Sequence, residues 1–226
     1  MVKLLNYTEY PLQTIGQCAG DCWGASLDDK EKNIKRAKNC IASNHGRVLE
    51  YADFTVELSE YSIKVMRELY THIIGTTRTQ ESTRYVPLNN FKFVTPPKIA
   101  NNIEAKENYE NLMSLISDNY AKLIEMGIPK EDASMILPLS THTKVVLKMN
   151  VRALQHFCNM RLCNRAYWEI RQLTRELINE LAKINDEWKF IVDTLCVPNC
   201  VAMGYCPESK KISCGIKPTK DELLNK

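Results

Sequence analysis

The side chains best suited to chemistry are concentrated between residues 149 and 161, which read Met-Asn-Val-Arg-Ala-Leu-Gln-His-Phe-Cys-Asn-Met-Arg. An ideal helix places them on two adjoining faces: Asn150, Leu154, Phe157 and Arg161 on one, and Arg152, His156 and Asn159 on the other. An amide, an imidazole and two guanidinium groups beside apolar residues suit a polar, anionic ligand. Spacing alone leaves open an ordinary amphipathic helix with a solvated polar face.

Composition narrows the class of protein. The chain has 226 residues, of which 44% are hydrophobic and 25% are charged, as in globular domains. A net charge of +3 is too small to argue for nucleic acid or an anionic membrane as partner. No apolar run reaches the roughly 20 residues that span a bilayer. The N-terminus lacks the apolar core and cleavage site of a secretory signal, so we expect a cytoplasmic protein.

Periodicity predicts the elements that position these side chains. Alternating apolar residues predict strands, and apolar residues three and four apart predict helices. In chain order the predictions are a helix at 28–43, a strand at 51–58, a helix capped by Ser59, a polar loop at 75–85, an irregular stretch at 86–103, helices at about 104–126 and 130–135, a strand at 137–149, a helix at 150–161, and one long helix from Ile170 to Leu195.

These elements predict an α+β fold, with a mixed or antiparallel sheet packed against long helices. We find no internal repeat and no flexible linker. We therefore predict a single domain over residues 1–195, followed by a cysteine-rich tail at 196–226.

Several motifs together resemble the flavin-dependent thymidylate synthases, the ThyX family. They are Leu137-Pro138-Leu139, Thr143, the series Asn150-x-Arg152-x-Leu154-x-His156-Phe157, Arg161, and Ala166-x-Trp168-Glu169-Ile170. Gln80-Glu81-Ser82-Thr83-Arg84-Tyr85 resembles the end of that family's nucleotide loop, and His45-x4-Glu50 is a third match. The resemblance covers most of residues 13–195.

The resemblance implies a function. Members of the family methylate dUMP with methylenetetrahydrofolate as carbon donor, FAD as the flavin and NADPH as reductant, in active sites between the subunits of a homotetramer. It implies flavin- or folate-side roles for His45, Arg47, Asn150, Arg152 and His156. It implies nucleotide binding by Gln80, Glu81, Ser82, Thr83 and Arg84. Arg161 would lie against the uracil and act as the catalytic cation.

The chain departs from the family in its Arg-His-Arg hallmark, which lies seven residues before the Ser of the nucleotide loop. Counting back from Ser82 gives His72-Ile73-Ile74, or Thr71-His72-Ile73 with one inserted residue, and neither contains Arg. Ser134 stands where a further nucleotide Arg is expected. Each missing charge-assisted contact is worth on the order of 1.5–3 kcal/mol. Other possibilities are therefore a different pyrimidine nucleotide, hydroxymethyl transfer, or a non-catalytic protein of this fold.

Nine cysteines are present, and the odd number argues against a complete disulfide framework. Four are close together in the tail: Cys196, Cys200, Cys206 and Cys214. Four thiolates in a short loop can hold Zn²⁺ tetrahedrally, so we predict a zinc site. An iron–sulfur cluster, disulfides, or simply buried thiols are the alternatives.

Overall fold

The computed structural model describes residues 1–225, and its strands form one four-stranded sheet. The strands are β1 (Val2–Tyr7), β2 (Asp53–Ser62), β3 (Thr76–Gln80) and β4 (His142–Asn150). Their order across the sheet is β1-β2-β4-β3, and the sheet is antiparallel. Together with the helices, this confirms the predicted α+β class.

Eleven helices and two 3-10 helices are described within residues 1–225. They are α1 (Pro11–Asp21), α2 (Lys30–Ala42), α3 (Ile63–Leu69), α4 (Pro97–Ala100), α5 (Ile103–Glu125), α6 (Lys130–Ala133), α7 (Val151–Arg161), α8 (Trp168–Ala182), α9 (Asp186–Leu195), α10 (Asn199–Met203) and α11 (Lys220–Leu224). The 3-10 turns are Gly46–Tyr51 and Ser134–Ile136.

The chain divides into two compact units built from discontinuous segments. The first unit comprises Met1, Leu58–Tyr70 and Arg78–Val146. The second comprises Val2–Glu57, Thr71–Thr77 and the chain from Leu147 onward. The predicted boundary at 195/196 stays a prediction. The described part of the tail, residues 196–225, groups with the second unit, and Lys226 lies outside the described residues.

The second unit has a core centred on Trp188. This indole is fully buried; it packs edge-on against the ring of Phe54, with the ring centroids 6.0 Å apart. Its Nε1–H donates to the carbonyl oxygen of Thr8 at 2.8 Å. A buried indole needs such a partner because an unpaired N–H costs free energy in an apolar environment. The bond ties α9 to the segment that follows β1.

The first helix is capped by a carboxylate from α9. The backbone N–H groups of Leu12 and Gln13 donate to Oε2 of Glu187 at 2.7 and 3.2 Å. The Gln13 side chain donates to Oε1 at 2.8 Å. Unpaired N–H groups at a helix N-terminus favour a negative charge. Neither β1 nor α1 was predicted, because the partner that stabilises α1 lies about 175 residues away in sequence.

The long helix predicted from Ile170 to Leu195 is divided into two helices in the structure. The apolar spacing from Ile170 to Leu195 runs without interruption, and it predicts one helix. The structure ends α8 at Ala182 and starts α9 at Asp186. Asn185 makes the break, because its side-chain oxygen accepts from the backbone N–H groups of Glu187 and Trp188. A capping side chain can start a new helix without disturbing the hydrophobic period.

Three local predictions differ from the structure. Residues 76–80 form strand β3 rather than a loop, although they carry only Thr, Arg and Gln. As an outer strand of the sheet, β3 needs no buried side chains. Helix α3, which follows β2, is capped by Ser62 rather than by Ser59. The Oγ of Ser62 accepts from the N–H of Val65 at 3.1 Å, while Ser59 lies inside β2. Strand β4 also starts later than predicted, at His142.

Candidate active site

Helix α7 is positioned by a side-chain cap at its start. The Oδ1 of Asn150 accepts from the N–H of Ala153 at 2.8 Å, and its own N–H donates to the carbonyl oxygen of Gly75 at 3.0 Å. Asn is among the best N-cap residues because its side chain pairs an otherwise unpaired helical N–H. The cap aligns Arg152, His156 and Arg161 along one helix in the second unit. The prediction of a helix here is confirmed.

Arg161 is held by two residues from the segment before β3. Its Nε–H donates to Nε2 of His72 at 2.9 Å, and Nη2 donates to Oγ1 of Thr71 at 2.9 Å. The His72 imidazole is buried. It lies edge-on to the rings of Phe157 and His156, with centroid-to-centroid distances of 5.0 and 5.6 Å. Because Nε2 accepts this bond, the His72 ring carries no proton on that nitrogen. The guanidinium is thus oriented by a neutral imidazole.

The degenerate triplet supplies an orienting residue but no cation. His72 contacts Arg161, whereas the next two side chains, Ile73 and Ile74, are 70% and 89% exposed. An isoleucine side chain has no hydrogen-bonding group. The role of His72 could not be predicted from sequence, because 89 residues separate it from Arg161. The one available signal was the isolated His within the aligned triplet.

The cationic and imidazole side chains predicted on the flavin side are exposed in the second unit. Arg152 forms an ion pair with Glu50, and a side chain at Gly46 would come within 3.4 Å of the Arg152 Nε. His45 and Arg47 flank this glycine and are exposed. The structure therefore brings Arg152 to the segment that follows His45. Glu50 was noted in the motif, but its pairing with Arg152 was not predicted.

The nucleotide-loop residues lie in the first unit and begin at the end of β3. Gln80 is fixed at both ends of its amide: its Oε1 accepts from the Tyr70 hydroxyl at 2.6 Å, and its Nε2 donates to Oγ1 of Thr143 at 3.1 Å. Glu81 is exposed, and its backbone N–H donates to the carbonyl oxygen of Lys144 at 2.8 Å. Gln80 therefore positions the start of the loop and has no amide atom left without a partner.

The rest of the loop is a turn with exposed donors. The Ser82 carbonyl oxygen accepts from the N–H groups of Tyr85 and Val86, both at 3.1 Å. Arg84 is exposed and forms an ion pair with Glu131 at 3.0 Å. Oγ1 of Thr83 accepts from the hydroxyl of Ser134 at 3.3 Å. Ser134 thus lies beside the loop, at the position where the family pattern has an Arg.

Arg78 is not available to replace a missing arginine in this conformation. Its guanidinium lies over the Tyr70 ring, 4.4 Å from the centroid, and donates to the Tyr70 carbonyl oxygen at 3.1 Å. Burial raises the pKa of the Tyr70 hydroxyl, and the Arg78 charge partly opposes that shift. The phenol therefore stays protonated and keeps donating to Gln80.

The zinc site predicted in the cysteine tail stays a prediction. Within residues 1–225, no three His, Cys, Asp or Glu side chains are placed to hold a metal ion. Cys196 is instead paired with the Cys158 thiol of α7; burial, and then this hydrogen bond, raises the pKa of Cys158 well above its usual value. Burial also raises the pKa of Cys200, with smaller contributions from Cys206 and other nearby thiols. All nine cysteines are free.

Sequence comparison identifies the family. Residues 3–185 match the profile of the Thy1 family, described as thymidylate synthase complementing protein. A flavin-dependent thymidylate synthase of Pyrococcus furiosus is 35% identical over 221 residues, covering 92% of this chain and 89% of that protein. The chain belongs to the family of flavin-dependent thymidylate synthases. The homologue from Pyrococcus horikoshii is also 35% identical, over 99% of this chain and 97% of its own length.

Solved structures share the fold. One is the flavin-dependent thymidylate synthase of Helicobacter pylori, complexed with FAD and dUMP, with a TM-score of 0.68 and 23% identity over 86% of this chain and 99% of that one. Another is a UMP/dUMP methylase from Streptomyces cacaoi bound with 5-Br dUMP, with a TM-score of 0.71 and 19% identity over 86% of this chain and 95% of that one. Both support the α+β ThyX fold. Within the described residues, no helix is long and apolar enough to cross a membrane.

Gly75 is a further residue on which the α7 cap depends. Its φ is +72°, and an added Cβ would lie 2.7 Å from Nδ2 of Asn150 and 3.0 Å from the Ala153 Cβ. Gly127 provides a matched control, because its φ is +82° and nothing lies within 4 Å of the added Cβ. Both alanine variants carry left-handed backbone strain of about 1–2 kcal/mol. Only Gly75→Ala also crowds the cap.

We expect Gly75→Ala to lower the free energy of unfolding by about 1–3 kcal/mol more than Gly127→Ala does, because packed neighbours must shift. Chemical denaturation of the two variants measures the difference. FAD affinity should fall in the Gly75 variant alone. Equal destabilisation of both variants would show that the cap tolerates the extra carbon.

Proposed function

We propose that this chain is an FAD-dependent thymidylate synthase that methylates dUMP to dTMP, with methylenetetrahydrofolate as carbon donor and NADPH as reductant. The observation that carries the proposal is the oriented guanidinium of Arg161, held by His72 and Thr71 at the end of a capped helix. The relatives named flavin-dependent thymidylate synthases, 35% identical over almost the whole chain, support the same reaction.

The donor set of the second unit fits FAD. FAD presents a pyrophosphate and ring carbonyl groups, which accept hydrogen bonds from cationic and imidazole donors. His45, Arg47, Arg152 and His156 are exposed donors on this unit, and Asn150 caps the helix that carries two of them. We propose that these residues hold the cofactor. When bound and reduced, the flavin supplies the hydride.

Arg161 would act on the pyrimidine. The pyrimidine must be activated as a nucleophile before it can attack the carbon donor. A guanidinium against its carbonyl group stabilises the negative charge that develops there on activation. The side chain stays cationic at any working pH. Its two hydrogen bonds restrict its rotation, so little orientational freedom is left to lose when substrate binds. His72 is thus a positioning residue for Arg161.

Arg84, Ser82 and Thr83 would bind the nucleotide phosphate. Arg84 now pairs with Glu131, but the two side chains are 63% and 54% exposed. Exposed pairs of this kind contribute only about 0–1 kcal/mol, so a phosphate dianion can displace the carboxylate. The N–H and hydroxyl groups of the turn add neutral donors. Gln80 and Glu81 would set the position of this turn at the end of β3.

A second candidate is methyl or hydroxymethyl transfer to another pyrimidine nucleotide. It is favoured by the absence of arginines that the family pattern has. Exposed Ile73 and Ile74 stand in the triplet, and the hydroxyl of Ser134 lies beside Thr83 where an arginine is expected. Changed phosphate or sugar contacts would change which nucleotide binds. If the same losses abolish cofactor binding, the protein has kept the fold without the activity.

We also propose a homotetramer, for which the surface of α5 in the first unit gives support. Leu115 and Met126 on this helix are 57% and 75% exposed. They line a shallow apolar groove of about 450 Å³ together with Leu123 and Ile136. An exposed apolar patch rimmed by polar residues is typical of a subunit interface. Light scattering coupled to size exclusion tests the assembly.

Activity on a panel of nucleotides tests the function. The purified protein is incubated with FAD and its visible spectrum is recorded. It is then supplied with methylenetetrahydrofolate and NADPH and with dUMP, UMP or dCMP in turn, and products are separated by chromatography. We expect flavin absorbance and formation of dTMP from dUMP. Turnover of another nucleotide but not dUMP would establish the second candidate. A protein that binds no FAD would leave only the fold in common with the family.

A further inference from the structure

Helix α2 of the second unit borders a pocket of about 410 Å³, and His45 is the one lining residue to which a role has been assigned above. Its lining includes three cations, Lys32, Lys35 and Arg36, together with Trp23 and His45. Cations and an indole around one concavity suit a ligand that joins an aromatic group to an anion. We call this the Trp23 pocket.

Two of the three cations are held in place. Arg36 Nη1 donates to the Gly16 carbonyl oxygen at 2.8 Å and to Oδ1 of Asn33 at 2.6 Å. Lys32 pairs with Asp29 at 3.0 Å. Lys35, by contrast, makes no ion pair with any side chain of residues 1–225. One acidic partner for three cations leaves the pocket with a net positive charge.

Trp23 is the aromatic part of the pocket. The indole is 66% exposed, whereas Trp188 is completely buried. A turn fixes its backbone: the Trp23 N–H donates to the Gly20 carbonyl oxygen at 3.0 Å, and Gly24 follows with φ of +59°. An exposed indole held beside cations offers a flat face on which an aromatic ring can stack. Because most of the indole is exposed, it contributes little to the packing of the fold, and its face is open to a ligand.

The pocket is continuous with a residue proposed to bind cofactor. The His45 N–H donates to the Cys40 carbonyl oxygen at 2.9 Å, closing the end of α2 onto the turn that begins at Gly46. Cys40 and His45 both line the pocket. A molecule bound beside His45 is therefore also within reach of the cations on α2.

We propose that the Trp23 pocket binds the anionic aromatic end of a co-substrate: the 2′-phosphate-bearing adenosine of the nicotinamide reductant, or the aminobenzoyl-glutamate end of the folate. The aromatic ring stacks on Trp23, and Lys35 and Arg36 meet the phosphate or carboxylate. The choice of these two molecules rests on the proposed function. The shared chemistry, an aromatic ring joined to an anion, rests on the pocket alone.

Tryptophan fluorescence of the FAD-loaded protein tests the proposal without turnover. The probes are NADP⁺, NAD⁺, and 5-formyltetrahydrofolate with one or three glutamates. A stacked ring should quench the Trp23 emission, and Trp23→Phe should remove that quenching. Lys35→Glu should raise Kd about tenfold or more, the effect expected for loss of a charge-assisted contact. Lys30→Glu, on the same helix but outside the lining, should leave Kd unchanged.

The nicotinamide and folate probes show which of the two co-substrates the Trp23 pocket binds. Weaker binding of NADP⁺ in Lys35→Glu, with NAD⁺ already weak in the unsubstituted protein, assigns the pocket to the 2′-phosphate. Weaker binding of the folate, larger for three glutamates than for one, assigns it to the carboxylates. If Lys35→Glu and Lys30→Glu both leave every Kd within twofold, or quenching survives in Trp23→Phe, the proposal is overturned.

Failure of the proposed function would look different. A protein that takes up no FAD but still shows Trp23 quenching sensitive to Lys35→Glu keeps the pocket and loses the reaction. A yellow protein that makes dTMP but shows no Lys35 effect keeps the reaction and loses the pocket.

Discussion

Arg161→Ala is expected to lower kcat for dUMP methylation by about 10²–10³-fold, the usual effect of removing one preorganised donor to a developing anion. The substitution removes the guanidinium that His72 and Thr71 orient, and it leaves the Asn150 cap and the Arg152–Glu50 pair in place. FAD binding should therefore be retained. Steady-state kinetics on the FAD-loaded protein, with the flavin absorbance recorded in parallel, measures both effects.

Lysine at this position separates charge from geometry. Arg161→Lys keeps the positive charge but cannot donate to His72 and Thr71 from a planar fork. We expect its kcat to lie between those of the unsubstituted protein and Arg161→Ala. Arg175→Ala, on an exposed position of α8, is the matched control and should keep full activity. If Arg161→Ala and Arg175→Ala have the same kcat, Arg161 has no part in the reaction.

Trp188→Ala is expected to destabilise the protein by about 3–5 kcal/mol, because a fully buried indole is replaced by a cavity. The variant also leaves the Thr8 carbonyl oxygen without its donor. A loss of this size should lower Tm by about 10 °C in a chain of this length. Differential scanning calorimetry measures the shift.

Two further variants separate the contributions of packing and hydrogen bonding by Trp188 to stability. Trp188→Phe keeps most of the packing against Phe54 and loses the hydrogen bond, so it should cost less than the alanine variant. Trp23→Ala removes an indole that is 66% exposed and should change stability by no more than about 0.5 kcal/mol. A Tm for Trp188→Ala within 2–3 °C of that for Trp23→Ala would contradict the central packing role of Trp188.

Local sequence signals predicted the helix that carries the main site. Asn150 is a strong capping residue, and the apolar spacing from Leu154 to Phe157 defines a buried face. Both signals act within one or two turns, so no distant residue was needed to predict the helix or the exposure of Arg152 and His156. The match to the family pattern then gave Arg161 its chemistry.

Pattern reasoning failed where a distant partner or a competing local bond decided the outcome. The spacing from Ile170 to Leu195 is helical throughout, yet Asn185 breaks the helix by capping Glu187 and Trp188. Strand β3 has no apolar alternation and forms because it pairs at the outer position of the sheet. The pairing of the buried Cys158 with Cys196 could not be predicted either, because 38 residues separate the two thiols.

The sequence by itself determined the α+β class and the family, and it predicted the residues of the proposed site, because capping, periodicity and motif spacing are properties of neighbouring residues. Only the tertiary structure decided that His72 orients Arg161, that Gly75 abuts the Asn150 cap, and that Arg78 is held on Tyr70. Arg161 and His72 are 89 positions apart, and Gly75 and Asn150 are 75 positions apart. These contacts and the one between Arg78 and Tyr70 depend on how the loops close. Loop closure is set by packing of the whole unit rather than by any local pattern.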